Sequence, residues 1–146
     1  MRYLAIDFGF KRTGLALCDK SEQFSSPLMV IDKPGDVIPK IKQVIKKEDV
    51  EAVVVGLPFN MDGTEGPQAK ATRTFAASLA KEITIPLEMF DERLSSFEAE
   101  EKLIPGDFTR KQTKKRLDAV AAANILAAFL EHKRDQGTGL PTQGLE

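Results

Sequence analysis

Cysteine is nearly absent from this 146-residue chain: the single Cys18 rules out an intrachain disulfide. It lies in an apolar, strand-like run where a small buried side chain is the expected role. Histidine is as scarce. His132 stands alone among Glu131, Lys133 and Arg134, on what reads as a solvated helix face, and no His/Cys cluster offers a zinc site. Excess charge of one sign is missing too. With 21 Lys and Arg against 22 Asp and Glu, the chain nets −1, so no global basic field marks it as a polyanion binder and any cationic site must be local. No apolar run approaches the length that spans a bilayer, and the chain opens directly on a strand, without a charged-then-apolar leader. There is no internal repeat. These absences leave a soluble cytoplasmic protein, long enough to bury one core: a single domain over 1–134 is expected, followed by a loose tail over 135–146 that holds three glycines and a proline.

Apolar runs and breaks give the order of elements. Arg2–Phe8 reads as a central strand, and with the Gly9–Thr13 turn and a strand over Thr13–Asp19 it makes a hairpin; Pro27–Ile31 offers a third, shorter strand. Over Asp36–Glu48 the residues Val37, Ile38, Ile41, Val44 and Ile45 recur at helical spacing, with Asp36 as the expected cap. Ala52–Val55 is wholly apolar, the pattern of a strand covered on both faces. A loop over Phe59–Glu65, a helix over Gln68–Lys81, a strand over Ile85–Phe90, a short helix over Ser96–Lys102 and a Pro105-Gly106 break come next. The last element is a long helix starting at Thr109, with Gln112 completing a capping box, or at Thr113. Three strands followed by two crossover units imply an α/β fold, a mixed sheet with helices on its faces.

If the first, fourth and fifth strands are parallel neighbours, their carboxyl ends share the edge where open sheets bind ligands. That edge collects Asp7, Gly56 and Asp91-Glu92-Arg93. Carboxylates gathered there repel one another and persist most simply when a divalent cation neutralises them; magnesium suits such a set and takes further ligands from substrate phosphate. Two ions about 3.5–4 Å apart would activate a water and stabilise the leaving oxygen of a displacement at phosphorus. The candidate acids are Asp7, Glu92 and Asp118. The third sits among Leu117, Ala119, Val120 and Ala121–Ala123, small side chains that let a helix lie close to the sheet; an acid placed against the helix dipole is the plainer alternative. Just before it, Arg110, Lys111, Lys114, Lys115 and Arg116 put five cations into seven positions. A charge run is ordinarily a solvated face, but beside a metal site it becomes a grip on a polyanionic backbone, which Lys11 and Arg12 extend. Arg93 would contact phosphate or pair with Asp91 or Glu92. Gly56-Leu57-Pro58 with Asn60 and Gly63 lets backbone amides approach a ligand, or simply ends a strand. Ser95 and Ser96 read as a helix cap.

Four stretches in register, Asp7-Phe8-Gly9-Phe10-Lys11-Arg12-Thr13-Gly14, Gly56-Leu57-Pro58-Phe59-Asn60-Met61-Asp62-Gly63, Asp91-Glu92-Arg93-Leu94-Ser95-Ser96 and Asp118-Ala119-Val120-Ala121-Ala122, resemble the YqgF/RuvX family of Holliday junction resolvases. The resemblance implies a ribonuclease H-like fold, a five-stranded mixed sheet with helices on both faces. It also implies a nuclease dependent on Mg2+ or Mn2+, with Asp7, Glu92 and Asp118 as its catalytic and metal-binding acids. Lys11, Arg12, Asn60, Arg93 and the cations from Arg110 to Arg116 are then the nucleic-acid contacts. Precursor ribosomal RNA, cut at the 5' end of the small-subunit species, is the leading substrate and branched DNA the next. Phe10 and Cys18 depart from the family's pattern and bear on substrate fit. Neighbouring residues of an extended segment point opposite ways, so only one of Asp91 and Glu92 would face the metals.

Two other classes stay open. A phosphotransferase of the actin and sugar-kinase type uses a similar Asp-x-Gly turn, but those proteins need two such domains and this chain has room for one. A binding module that holds RNA without cutting would keep the same acids. No stretch declares an interface, so a monomer or weak homodimer is expected; cutting two strands of a junction symmetrically would call for the dimer.

Overall fold

Each apolar run becomes a strand of one sheet in the computed structural model, which describes residues 1–95 and 110–139, with side chains in the last helix described over 117–136. Strands β1 (Tyr3–Asp7), β2 (Thr13–Cys18) and β3 (Ser25–Ile31) form an antiparallel meander; α1 (Val37–Lys47) leads to β4 (Ala52–Leu57), and α2 (Pro67–Glu82) to β5 (Leu87–Asp91). A 3-10 turn follows over Glu92–Leu94, and α3 spans Arg110–Gly139. The spatial order is β3-β2-β1-β4-β5, with β4 parallel to both β1 and β5. The mixed five-stranded sheet is therefore the one expected. No described helix is long and apolar enough to cross a membrane.

The two faces differ in the size of their side chains. On one, Leu4, Ile6, Leu15, Val53 and Val55 pack with Ile41 and Val44 of α1 and Phe75 and Leu79 of α2. On the other, Ala5, Ala16, Ala52 and Val54 meet Ala122, Ala123, Ile125, Leu126 and Phe129 of α3. Alanine against alanine lets the helix axis come close to the sheet, as the Ala-rich run predicts. β3 is an edge strand. It can therefore hold Pro27, whose missing N–H falls beside an irregularity in the β2–β3 register at Leu15/Ala16.

Several boundaries move, and two expectations are corrected. Asp36 occupies the N-cap position of α1, but its side chain makes no capping hydrogen bond. A 3-10 turn over Pro34–Asp36 winds directly into the helix, so Asp36 itself has near-helical dihedrals rather than the extended ones a capping side chain requires. The last helix runs through Gly139, five residues into the stretch expected to be tail; a helix already several turns long adds such residues at about 1 kcal/mol per glycine relative to alanine, without a new nucleus. Thr113 lies inside that helix, so the later of the two starts is not used. The short helix over 96–102, the Pro105-Gly106 break and the segment 140–146 lie outside the described residues.

Candidate active site

Alternation along the strands decides which side chains meet α3. In β1, Tyr3 and Ala5 belong to the α3 face, so Asp7 does as well; in β2, Ala16 and Cys18 put Gly14 there. Asp7 and Gly14 are partners across the β1–β2 pair. In β4, Val54 leads to Gly56 on the same face, and in β5 Phe90 leads to Glu92, while Asp91 falls on the opposite side. The carboxyl ends of β1, β4 and β5 thus bring Asp7, Gly56 and Glu92 together under α3. Of the two adjacent acids, Glu92 is therefore the one that lies beside Gly56 and Asp7.

Two glycines make room for this arrangement. A Cβ on Gly14 would lie 2.0 Å from the backbone oxygen of Asp118 and 3.0 Å from the nitrogen of Ala119, so the helix backbone rests on the strand at the level of Asp7. A Cβ on Gly56 would lie 2.7 Å from Ile125 Cδ1 and 2.8 Å from Glu92 Cγ, so the Glu92 side chain occupies the space that a larger residue would fill.

Glu92 is hydrogen-bonded to Asp7. Burial pushes its carboxyl above the usual range; the bond to Asp7 opposes this and the charge on Asp91 adds to it. Asp91 behaves oppositely. Arg93 donates to it through Nε and Nη2, the latter at 2.7 Å, and this pairing holds the Asp91 carboxyl low. Of the two acids expected as partners for Arg93, Asp91 is the one it pairs with; the guanidinium also lies over the Phe59 ring, 5.1 Å from its centroid. Beside Glu92 a groove of about 460 Å³ opens, lined by Pro58, Phe59, Met61, Arg93 and Ser95.

Asp118 reaches the same rim but has a partner of its own. Arg12 Nε donates to Asp118 Oδ2 at 2.6 Å. This ion pair spans most of the chain and was not foreseen from the sequence, which assigned Arg12 to nucleic acid alone. Among the described residues no three His, Cys, Asp or Glu side chains form a group ready to hold a metal. Asp7 and Glu92 come together, whereas the Asp118 carboxylate is held by the arginine. Lys11 is exposed in the same turn. Asn60 braces its loop: its N–H donates to the Thr64 carbonyl at 2.8 Å and its Nδ2 to Thr64 Oγ1 at 2.9 Å. Ser95 caps no helix in the described residues but donates to the Glu92 carbonyl at 2.8 Å, closing the 3-10 turn. Arg110, Lys111, Lys114, Lys115 and Arg116 occupy the first turns of α3, leading to Asp118, and their side chains lie outside the described set. His132 is exposed and Cys18 is buried, as expected.

A mixed sheet with acids at the carboxyl ends of β1 and β5 and a long helix across them defines the ribonuclease H-like class of resolvases and nucleases. RuvC of Thermus thermophilus has the same fold, with a TM-score of 0.58 at 16% identity over 91% of this chain and 97% of RuvC; the fowlpox virus Holliday junction resolvase aligns at 0.53 and 14%, over 90% and 99%. The family model for RuvX, described as Holliday junction resolvase, matches residues 1–132, and the chain belongs to that family. It is a nuclease, a hydrolase of phosphodiester bonds. A relative from Anaeromyxobacter sp. strain Fw109-5, named "Putative pre-16S rRNA nuclease", is 43% identical over 90% of this chain and 97% of its own length. A protein of the same name from Halothermothrix orenii is 41% identical, over 91% and 96%.

Proposed function

We propose that this nuclease processes the 5' end of the small-subunit ribosomal RNA precursor in the cytoplasm, using Mg2+ or Mn2+ held by Asp7 and Glu92 with Asp118 as the third acid. The observation that carries the reading is the contact between the Asp7 and Glu92 carboxyls over Gly56. Two half-buried acids in contact repel each other unless a proton or a cation lies between them, and a hard cation with one or two carboxylate ligands keeps positions for phosphate and water. The donor set therefore fits a divalent cation. When bound, that ion lowers the pKa of a coordinated water and offsets charge developing on phosphate oxygen.

The chain's own residues do the rest. Glu92 lies over Gly56 at the rim, in the space that a larger residue there would fill. Asp7 ends the central strand, with paired strands on either side. Lys11, Arg12 and the cations from Arg110 to Arg116 hold the RNA backbone on the two sides of the acids. RNA is favoured over DNA because relatives at about 40% identity carry the pre-16S rRNA name, whereas the solved resolvases share only the fold. Branched DNA is the second reading. It is favoured by the family's description and by the structure of Thermus thermophilus RuvC with a Holliday junction substrate.

The test is a metal-dependent cleavage assay that offers precursor ribosomal RNA, linear single strands and four-way junctions side by side, with Asp7→Asn as the comparison. Cleavage of the precursor that falls about 100-fold or more in Asp7→Asn, while RNA is still bound, is the expected result. Binding without cleavage by the parent protein under every metal condition would sink the nuclease reading in favour of a non-cutting RNA-binding module, and preferential cutting of junctions would move the substrate to DNA.

A further inference from the structure

We propose that Arg12 and a divalent cation are alternative partners of the Asp118 carboxylate, and that a nucleic-acid phosphate draws the arginine away, so that metal binding and polyanion binding reinforce each other. The inference rests on the reading of Asp7, Glu92 and Asp118 as the metal-binding acids.

Three features support the exchange. The ion pair is strong in geometry but weakly held: Nε to Oδ2 is 2.6 Å, yet the side chains are 32% and 28% exposed, so solvent screens the attraction and breaking it costs little. Backbone anchors on both sides mean that only side chains need move. The Arg12 carbonyl lies close over Gly9, leaving no room for a Cβ there, and the Asp118 backbone rests on Gly14 opposite Asp7. Finally, among the described residues this bond is the one hydrogen bond of the Arg12 side chain, and it uses a single corner of a five-donor fork. The outer N–H groups match a phosphate in the bidentate manner that favours arginine over lysine.

Electrostatics then sets the direction. With no cation, Arg12 balances the Asp118 carboxylate. A guanidinium and a divalent cation drawn to the same three acids repel each other, so Arg12 opposes metal binding until a phosphate gives it another anion. Linkage makes the effect reciprocal: whatever factor RNA adds to metal affinity, metal adds to RNA affinity.

The experiment measures Mn2+ affinity of the full chain by calorimetry and electron paramagnetic resonance, without nucleic acid, for the parent, Arg12→Ala, Arg12→Gln, Lys11→Ala, Asp118→Asn and Asp118→Asn combined with Arg12→Ala. Both Arg12 variants should tighten Mn2+ binding about tenfold. Lys11→Ala, which removes an equal charge from the same turn without touching Asp118, should change it far less. In the Asp118→Asn background the Arg12 effect should vanish. A phosphorothioate RNA oligonucleotide should tighten Mn2+ binding to the parent and have little effect on Arg12→Ala. Unchanged or weaker Mn2+ binding in both Arg12 variants, an effect matched by Lys11→Ala, or one that survives in Asp118→Asn overturns the exchange. An Asp7→Asn variant separates the two levels: if it binds Mn2+ as tightly as the parent, the metal site itself is misassigned, whatever Arg12 does.

Discussion

Glu92 and Asp91 are neighbours in the chain and opposites in the fold. Asp91 is held low by Arg93, and Glu92 is pushed up by burial beside Asp7. For an acid whose folded pKa lies above its unfolded value, near 4.5, the folded state binds the proton more tightly. The stability this brings is complete below that value and is lost as pH rises through the folded pKa. Glu92→Gln carries no such loss. The metal-free variant should therefore melt a few degrees above the parent at neutral pH, a gain that shrinks towards zero as pH falls below about 4.5. Thermal melts across pH in the presence of a chelator check this, and a variant that melts below the parent at pH 7 would mean that the carboxylate is stabilised in the folded state. On the proposed metal assignment, metal should reverse the order, because the variant has lost one of the three acids that would hold it, and cleavage should be lost in the variant.

At the scale of elements, the site depends on two glycines whose neighbours differ in their capacity to yield. The obstacle to a Cβ at Gly14 is helix backbone, 2.0 Å away, which can clear only if α3 lifts from the sheet. Gly14→Ala should therefore cost about 3 kcal/mol or more in denaturant unfolding. At Gly56 the obstacles are the ends of Ile125 and Glu92. Side chains can rotate, so Gly56→Ala should cost only about 1–2 kcal/mol. Because one of the displaced groups is a catalytic candidate, cleavage should fall much further than stability does. Equal losses of stability in the two variants would mean that α3 is not seated on β2 as described. The sequence announced the strands because each is an apolar run of the right length, and it announced Asp7 and Glu92 because both follow such runs. It could not announce the Arg12–Asp118 bond or the place where α3 rests on Gly14. Those depend on how a distant helix docks, and only the alternation within β2, which puts Gly14 opposite Asp7, carries a trace of it. The end of α3 was missed for a different reason: glycine lowers helix propensity without forbidding helix, and propensity is all that a composition of Asp, Gln, Gly and Thr reveals.

Taken as one charged body, the molecule offers RNA no general attraction, since its net charge is −1. Its affinity must come from where the cations lie, and the densest group, Arg110 to Arg116, occupies the turns of α3 that run directly to Asp118. The helix that carries Asp118 to the sheet thus also carries this group of cations along its first turns. Binding through phosphate contacts releases condensed counterions, and for single strands each contact contributes about 0.7 to the slope of log affinity against log salt. Replacing both Lys114 and Lys115 by glutamine should flatten that slope by about 1.4 and weaken binding by a similar factor for unrelated RNA sequences. Titrations of a labelled single strand at several salt concentrations, with Lys46→Gln/Lys47→Gln at the far end of α1 as the charge-matched control, measure it. If the control flattens the slope as much, the effect is one of net charge alone; if neither pair changes it, RNA is gripped elsewhere on the rim, by Lys11 and Arg12, and α3 delivers only its carboxylate.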